Sequence, residues 1–166
     1  MKNYKNIEEV IKDGYIIEIE NTDKDEYTAS ALITGEDCLE EVGSVTSNTA
    51  NACLDGLTYR LGSDNPGIFN IRYPEEELGK GLIEAYLDRG ASVYLRKNEF
   101  EFEDEEFADS HSVRGTLRNF DGKHKITFSG NDAKELVVAL GEIAELAKDA
   151  YGEDMDFSGR AEDFYK

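Results

Sequence analysis

The residues of this chain that could do chemistry are few and scattered. Asp109-Ser110-His111-Ser112 sets a carboxylate, a hydroxyl and an imidazole side by side. A nucleophilic triad needs its three groups aimed at one point and is assembled from distant segments, whereas neighbours in sequence point in different directions. The stretch reads as a polar turn before a strand. Asn21, Asp23 and Asp25 mimic the opening of a calcium loop, but Glu26 stands where that loop requires Gly and Leu32 where it requires its closing Glu. An EF-hand is excluded. His124 falls on the apolar side of a hairpin with Leu117 and Ile126, which suits a packed or edge histidine better than a ligand. Cys38 and Cys53 are too few for a disulfide framework or a zinc site and read as two thiols in a reducing compartment. There is no phosphate loop, dinucleotide fingerprint, nucleophile elbow or zinc spacing. The sequence therefore assigns no catalytic residue, no metal ligand and no cofactor, and it predicts a protein that is not an enzyme.

Charge is the more informative property. Against 37 Asp and Glu stand 18 Lys and Arg, a net charge of −19 over 166 residues. Such a surface repels nucleic acid and anionic lipid and favours basic partners. The plainer alternative is that acidity only keeps the protein in solution. The charge is not an even coat: it is densest over residues 75–109 and 131–166, and residues 110–130 are net basic. The sharpest acidic run is Glu99, Glu101, Glu103, Asp104, Glu105 and Glu106, interleaved with Phe100 and Phe102. On a strand, alternate residues lie about 6.8 Å apart, so these glutamates would form a linear carboxylate array able to imitate a phosphate backbone. Arg114 and Arg118 are expected to stand opposite one or two of them as cross-strand pairs. Glu142, Glu145 and Asp149 line the solvent side of the last helix as a second acidic ridge.

These groups must be positioned by a fold that the pattern reads as α+β: a mostly antiparallel sheet built from β-hairpins, with two main helices. Asn6 caps a short helix that Gly14 stops. Residues 15–20 and 27–34 alternate as two strands, and 57–61 with 67–73 read as another pair across Gly62-Ser63-Asp64-Asn65-Pro66. Pro74 and Glu75-Glu76-Glu77 open a helix over 75–89. Residues 91–95 fold back through a turn at 96–99, setting Leu95 opposite Phe100 and Val93 opposite Phe102. Residues 113–130 form the clearest hairpin, turning at Asp121-Gly122, with Leu117 facing Ile126 and Gly115 facing Phe128. Its other face carries Arg114, Thr116, Arg118, Lys123, Lys125 and Thr127. The second main helix spans 132–150, with Asp132 as cap and Leu136, Leu140 and Ile143 at helical spacing. Residues 33–42 echo 128–137, as a hairpin–helix unit used more than once would; shared capping chemistry would produce the same likeness. Residues 39–55 suit either a broken helix or a loop. The chain is expected to be one domain over residues 1–152 with a loosely ordered acidic tail, 153–166. Its N-terminus lacks an apolar leader and no run approaches membrane-spanning length, which predicts a cytoplasmic protein.

Three functions fit this pattern. The first is an acidic inhibitor or decoy that occupies a basic surface of a partner protein, a nuclease or other nucleic-acid-binding effector. Immunity proteins and phage or mobile-element counter-defence proteins are of that class, which is an analogy from charge and size. The second is a structural or adaptor module that works as an oligomer. The third is a domain that binds or hydrolyses a small anion or nucleotide on Arg114, Arg118, Lys123 and Lys125.

Overall fold

The computed structural model describes residues 4–35, 38–61, 69–71, 81–98, 112–118, 125–151 and 157–160. Along these the order is α1 (Ile7–Lys12), β1 (Ile16–Asp23), β2 (Glu26–Thr34), β3 (Leu39–Ser47), α2 (Ala50–Leu61), β4 (Phe69–Ile71), α3 (Leu82–Asp88), β5 (Ser92–Lys97), β6 (Val113–Arg118), β7 (Lys125–Gly130), α4 (Ala133–Tyr151) and β8 (Phe157–Arg160). The strands form one sheet in the order β4-β3-β2-β1-β5-β6-β7-β8. The six inner strands are antiparallel, while β4 joins β3 and β8 joins β7 in parallel. The fold is α+β with hairpin pairing, as the sequence pattern predicts.

Period-two alternation decides which face of the sheet is covered. Ile17, Ile19, Tyr27, Ala29, Ala31, Val45, Val93, Leu95, Val113, Leu117 and Phe128 point to one side and are buried. They form one core with Ile7, Val10 and Ile11 of α1, Leu54 and Leu57 of α2, Ile83 and Leu87 of α3, and Leu136, Val137, Leu140 and Ile143 of α4. The opposite side carries Glu18, Ser30, Ser44, Tyr94, Thr116 and Thr127, all at least partly exposed. Among the described residues every helix therefore lies on the same face.

The order α-β-β-β-α-β runs through the chain twice, and the halves meet where β1 and β5 pair. The pairing Ile17↔Leu95 and Ile19↔Val93 is symmetric about its centre. At a constant offset Ile7 matches Ile83, Glu8 matches Glu84, Ile11 matches Leu87, and Gly14 matches Gly90. Both glycines follow their helix with positive φ, 101° and 96°, which an L side chain rarely adopts. They stop α1 and α3 at equivalent points and launch β1 and β5.

Several expectations are corrected. Residues 57–61 are the last turns of α2, not a strand, because Ala50, Cys53, Leu54 and Leu57 bury one helical stripe. β4 consequently has no partner there and pairs with β3. Residues 39–47, which the sequence left unassigned, are strand β3. The 33–42 and 128–137 stretches are not the same element pair, since the first runs from β2 into β3 and the second from β7 into α4. Gly81 is extended (φ −106°, ψ −167°), so α3 starts at Leu82, and Glu75, Glu76 and Glu77 lie outside the described residues. Both edges of β5 are occupied, by β1 and β6, which leaves neither for residues 100–102. The 113–130 hairpin has the predicted register, Leu117↔Ile126 and Gly115↔Phe128. The helix over 132–150 is α4, with Asp132 Oδ1 accepting from Glu135 N at 3.0 Å. Of the expected tail, residues 157–160 add as β8 beside β7.

Gly141 sits inside α4, where Gly costs about 1 kcal/mol relative to Ala. A Cβ there would lie 2.7 Å from Ile83 N and 3.0 Å from Ile83 Cα, so the bare backbone is what lets α3 cross α4. Gly141→Ala is expected to lower unfolding free energy by about 1–3 kcal/mol, the range for overpacking. Urea denaturation checks this, and a gain of stability would show that α3 does not press at this point.

Candidate functional site

The side chains that the fold brings together are carboxylates, and the clearest cluster lies where the helix starts meet over the sheet. The first backbone N–H groups of a helix have no partner within it and attract negative charge. At α1, Asn6 Oδ1 accepts from Glu9 N (3.1 Å) as the cap, and Glu9 Oε2 accepts from Lys5 N (2.7 Å) just before it. Glu8 is left to reach across to α4, where its Oε1 accepts from Ala133 N at 3.0 Å. Glu84, its counterpart on α3, performs both tasks. Its Oε2 accepts from Gly81 N (3.2 Å) at its own helix start, and its Oε1 accepts from Ala50 N (3.3 Å) at the start of α2. Each half of the chain thus caps the long helix of the other.

The caps that α2 and α4 carry themselves also correspond. Thr49 Oγ1 accepts from Ala52 N (3.2 Å) as Asp132 Oδ1 does from Glu135 N. Between the two starts, Asn51 Nδ2 donates to Lys134 O (3.4 Å) and Lys134 Nζ pairs with Asp55 Oδ1 (3.0 Å). The Lys134 ammonium is raised, first by its hydrogen bond to Asp55 and against the pull of desolvation. Glu84 is 5% exposed, a carboxylate that burial would penalise if its oxygens were not held by backbone donors.

Other polar side chains on the core side are structural in the same way. Tyr27 OH and Asn21 Nδ2 both donate to Asp88 Oδ1, at 2.6 and 3.3 Å, tying the end of α3 to β1 and β2. Asn21 also donates to Asp23 O and Glu26 O, and Asp25 adopts φ 58°. The Asn21–Asp25 carboxylates and amide are thus a hairpin turn between β1 and β2. Cys53 is buried, donates to Tyr27 O, and burial pushes its thiol up to about 12, which removes it as a nucleophile; Cys38 is exposed.

The residues singled out from the sequence are placed as follows. Glu99, Glu101, Glu103, Asp104, Glu105, Glu106, Lys123, His111 and His124 lie outside the described residues. β6 sits between β5 and β7, so the ladder neighbours of Arg114 are Arg96 and Ser129, and those of Arg118 are Ser92 and Lys125. The expected cross-strand pairing of these arginines with the Glu99–Glu106 run is corrected: both edges of β6 are already filled. Arg118 lies over the Tyr94 ring instead, 5.1 Å from its centroid. Arg96, which sequence reading missed because its strand partner was misassigned, joins Arg114, Arg118 and Lys125 on the open sheet face. Beside them Glu18 is raised, first by partial desolvation and then by Glu20, while Tyr94 is raised by desolvation and by Glu18. Glu142 and Glu145 of α4 are half-buried, and Tyr86 OH donates to Glu145 Oε2 at 3.0 Å, fastening α3 to α4. Asp149 falls on the same helix.

Among the described residues no three His, Cys, Asp or Glu side chains are grouped to hold a metal ion, and no helix is long and apolar enough to cross a membrane. Comparison with protein-family models, with curated proteins and with solved structures returns no match.

Truncating Glu84 leaves donors of two helices unsatisfied in a buried place, whereas truncating Glu8 removes one half-exposed cap. Glu84→Ala is expected to cost about 2–4 kcal/mol and Glu8→Ala about 1 kcal/mol, from the usual cost of unmade buried hydrogen bonds and lost caps. Chemical denaturation checks the order. Equal, small losses would mean that the carboxylate of Glu84 is not what secures the start of α2.

Proposed function

We propose that the protein is an acidic binding module that occupies a basic surface on a partner protein, of the kind that nuclease or nucleic-acid-binding effectors present. The observation that carries this reading is the division of labour among its carboxylates. Glu84, which is buried, and Glu8, Glu9, Asp88 and Asp132 nearer the surface are engaged by backbone or tyrosine donors of the fold. Glu20, Glu40, Glu41 and Glu135 stay exposed, in a chain whose net charge is −19. Exposed charge of one sign speeds the approach of an oppositely charged partner and rejects nucleic acid itself. An inhibitor or decoy, such as an immunity or counter-defence protein, works in this way.

Immobilised protein loaded with lysate at low salt tests the reading. A specific partner should be basic, should elute in a salt gradient, and should lose about tenfold or more in affinity between low and physiological ionic strength as screening sets in. Association unchanged by salt would sink the proposal and favour the oligomeric adaptor reading.

A second reading draws on one observation, the pairing of Arg96 with Arg114 on the open sheet face that also carries Arg118. That face would take a small anion or nucleotide. Nucleotides or inorganic phosphate raising the melting temperature, and an Arg96→Ala/Arg118→Ala variant losing the shift, are its expected outcome; no shift with any of them removes it.

A further inference from the structure

Strands β1, β2 and β3 contain no lysine or arginine, and β5, β6 and β7 contain no aspartate or glutamate. On the open face of the sheet, Glu18, Glu20 and Glu41 stand on one side of the β1–β5 seam and Arg96, Arg118 and Lys125 on the other. All of these but Glu18 are exposed. Matching places in the two halves thus hold opposite charges. At the offset that matches Gly14 to Gly90, Glu20 matches Arg96, and Glu41 pairs with Leu32 on β2 as Lys125 pairs with Arg118 on β6. The Glu18 carboxyl, raised first by desolvation, also feels Glu20 and Glu41 as like charges and Arg118 as an opposite one, so the two fields meet at the seam. Between the charges stand small hydroxyl side chains, with Thr28 and Thr46 Oγ1 2.9 Å apart and Thr116 and Thr127 Oγ1 3.1 Å apart.

An acidic half beside a basic half limits what can cover the whole face. A basic protein is drawn to β1–β3 and repelled by β5–β7, and an anion does the reverse. A second copy suits both. Turned about an axis that lies in the face and runs along the strands, it sets its β5 over β1, its β6 over β2 and its β7 over β3. An axis across the strands would instead lay base on base and acid on acid, which costs several kcal/mol in a packed interface. We infer that the open sheet face is a self-association surface, on which two copies pack sheet to sheet with the acidic half of each against the basic half of the other. Each contact then occurs twice, as a two-fold requires. Glu20 pairs with Ser92 and Ser92 with Arg118, so the three stand at one level of the sheet. The rotation brings the partner's Arg118 one strand to the side of Glu20, about 4.8 Å, across sheets about 10 Å apart, which long side chains span. Glu41 comes to lie beside the partner's Arg114 in the same way. Glu40, on the other side of β3, and Glu135, on α4, stay open to the basic partner proposed above.

The test measures the mass of the full chain in solution by sedimentation equilibrium over a concentration series. The wild type should reach a dimer. Glu20→Arg and Arg118→Glu should each weaken that dimer at least tenfold, although the first lowers the net negative charge and would by itself ease association. An equal mixture of the two variants should recover the dimer, because each reversed side chain then meets the reversed side chain of the other variant and the second pair is unchanged. Glu135→Arg, the same change of charge on α4, should leave the dimer as it is. Glu20, Arg118 and Glu135 are exposed, and far-UV circular dichroism shows that each variant is folded. A wild type that is monomeric throughout, a dimer indifferent to both reversals, or a mixture that stays monomeric overturns the assignment. None of these outcomes touches the salt-sensitive capture of a basic partner, so the two ideas fail separately.

Discussion

The starts of the two longest helices, α2 and α4, come together over the middle of the sheet, and everything else follows from how their unpaired backbone donors are satisfied. Unmade donors under a layer of helices cost about 1–3 kcal/mol each. The chain meets this with carboxylates reaching from the short helices α1 and α3, each serving the opposite half. The helix dipole makes glutamate the natural choice for that position. Neither half contains all the groups needed to finish its own long helix. The repeated order of elements is therefore bound into one body at its polar contacts as well as along the β1–β5 seam.

This constraint explains part of the acidity and leaves the remainder to be explained otherwise. A carboxylate whose oxygens receive backbone donors, like that of Glu84, belongs to the interior. Those of Glu40 and Glu41 adjoin exposed Leu39 and Val42 and belong to the surface. Charge on a partner-facing surface works through steering and selectivity more than through raw affinity. The same residue type thus occupies two separate environments in one chain, and composition alone does not distinguish them.

What could be read from the sequence was whatever local chemistry decides. The β6–β7 register was legible because Asp121-Gly122 predicts a two-residue turn and Leu117, Ile126 and Phe128 alternate on either side of it. α4 was legible from Asp132 and its apolar stripe, and α1 from Asn6 and Gly14. What failed were the pairings that no local signal specifies. β5 lies beside β1 rather than folding back on the residues that follow it, and β4 and β8 join in parallel after a helix. Residues 57–61 carry Leu, Thr and Tyr, which suit a strand, but burial of Leu54 and Leu57 beside Cys53 overrode that preference. The capping cluster was illegible for the same reason: Glu8 looked like an ordinary first-turn residue and Glu84 like one face of a longer helix, and only the crossing of distant elements makes either a cap.

The seam between β1 and β5 has a further consequence for the newborn chain. Hairpins and their helices within the first half close short loops and form early, but the β1 edge opposite β2 waits until Ser92–Lys97 has been made. A first half folded before then would leave Ile17 and Ile19 on a strand with one edge unpaired, and the start of α2 without the Glu84 carboxylate that completes it. Half-made chains of this kind pair with one another when crowded. The acidic residues of the first half, Glu18 and Glu20 on that strand among them, give two such chains the same sign, and like charges repel.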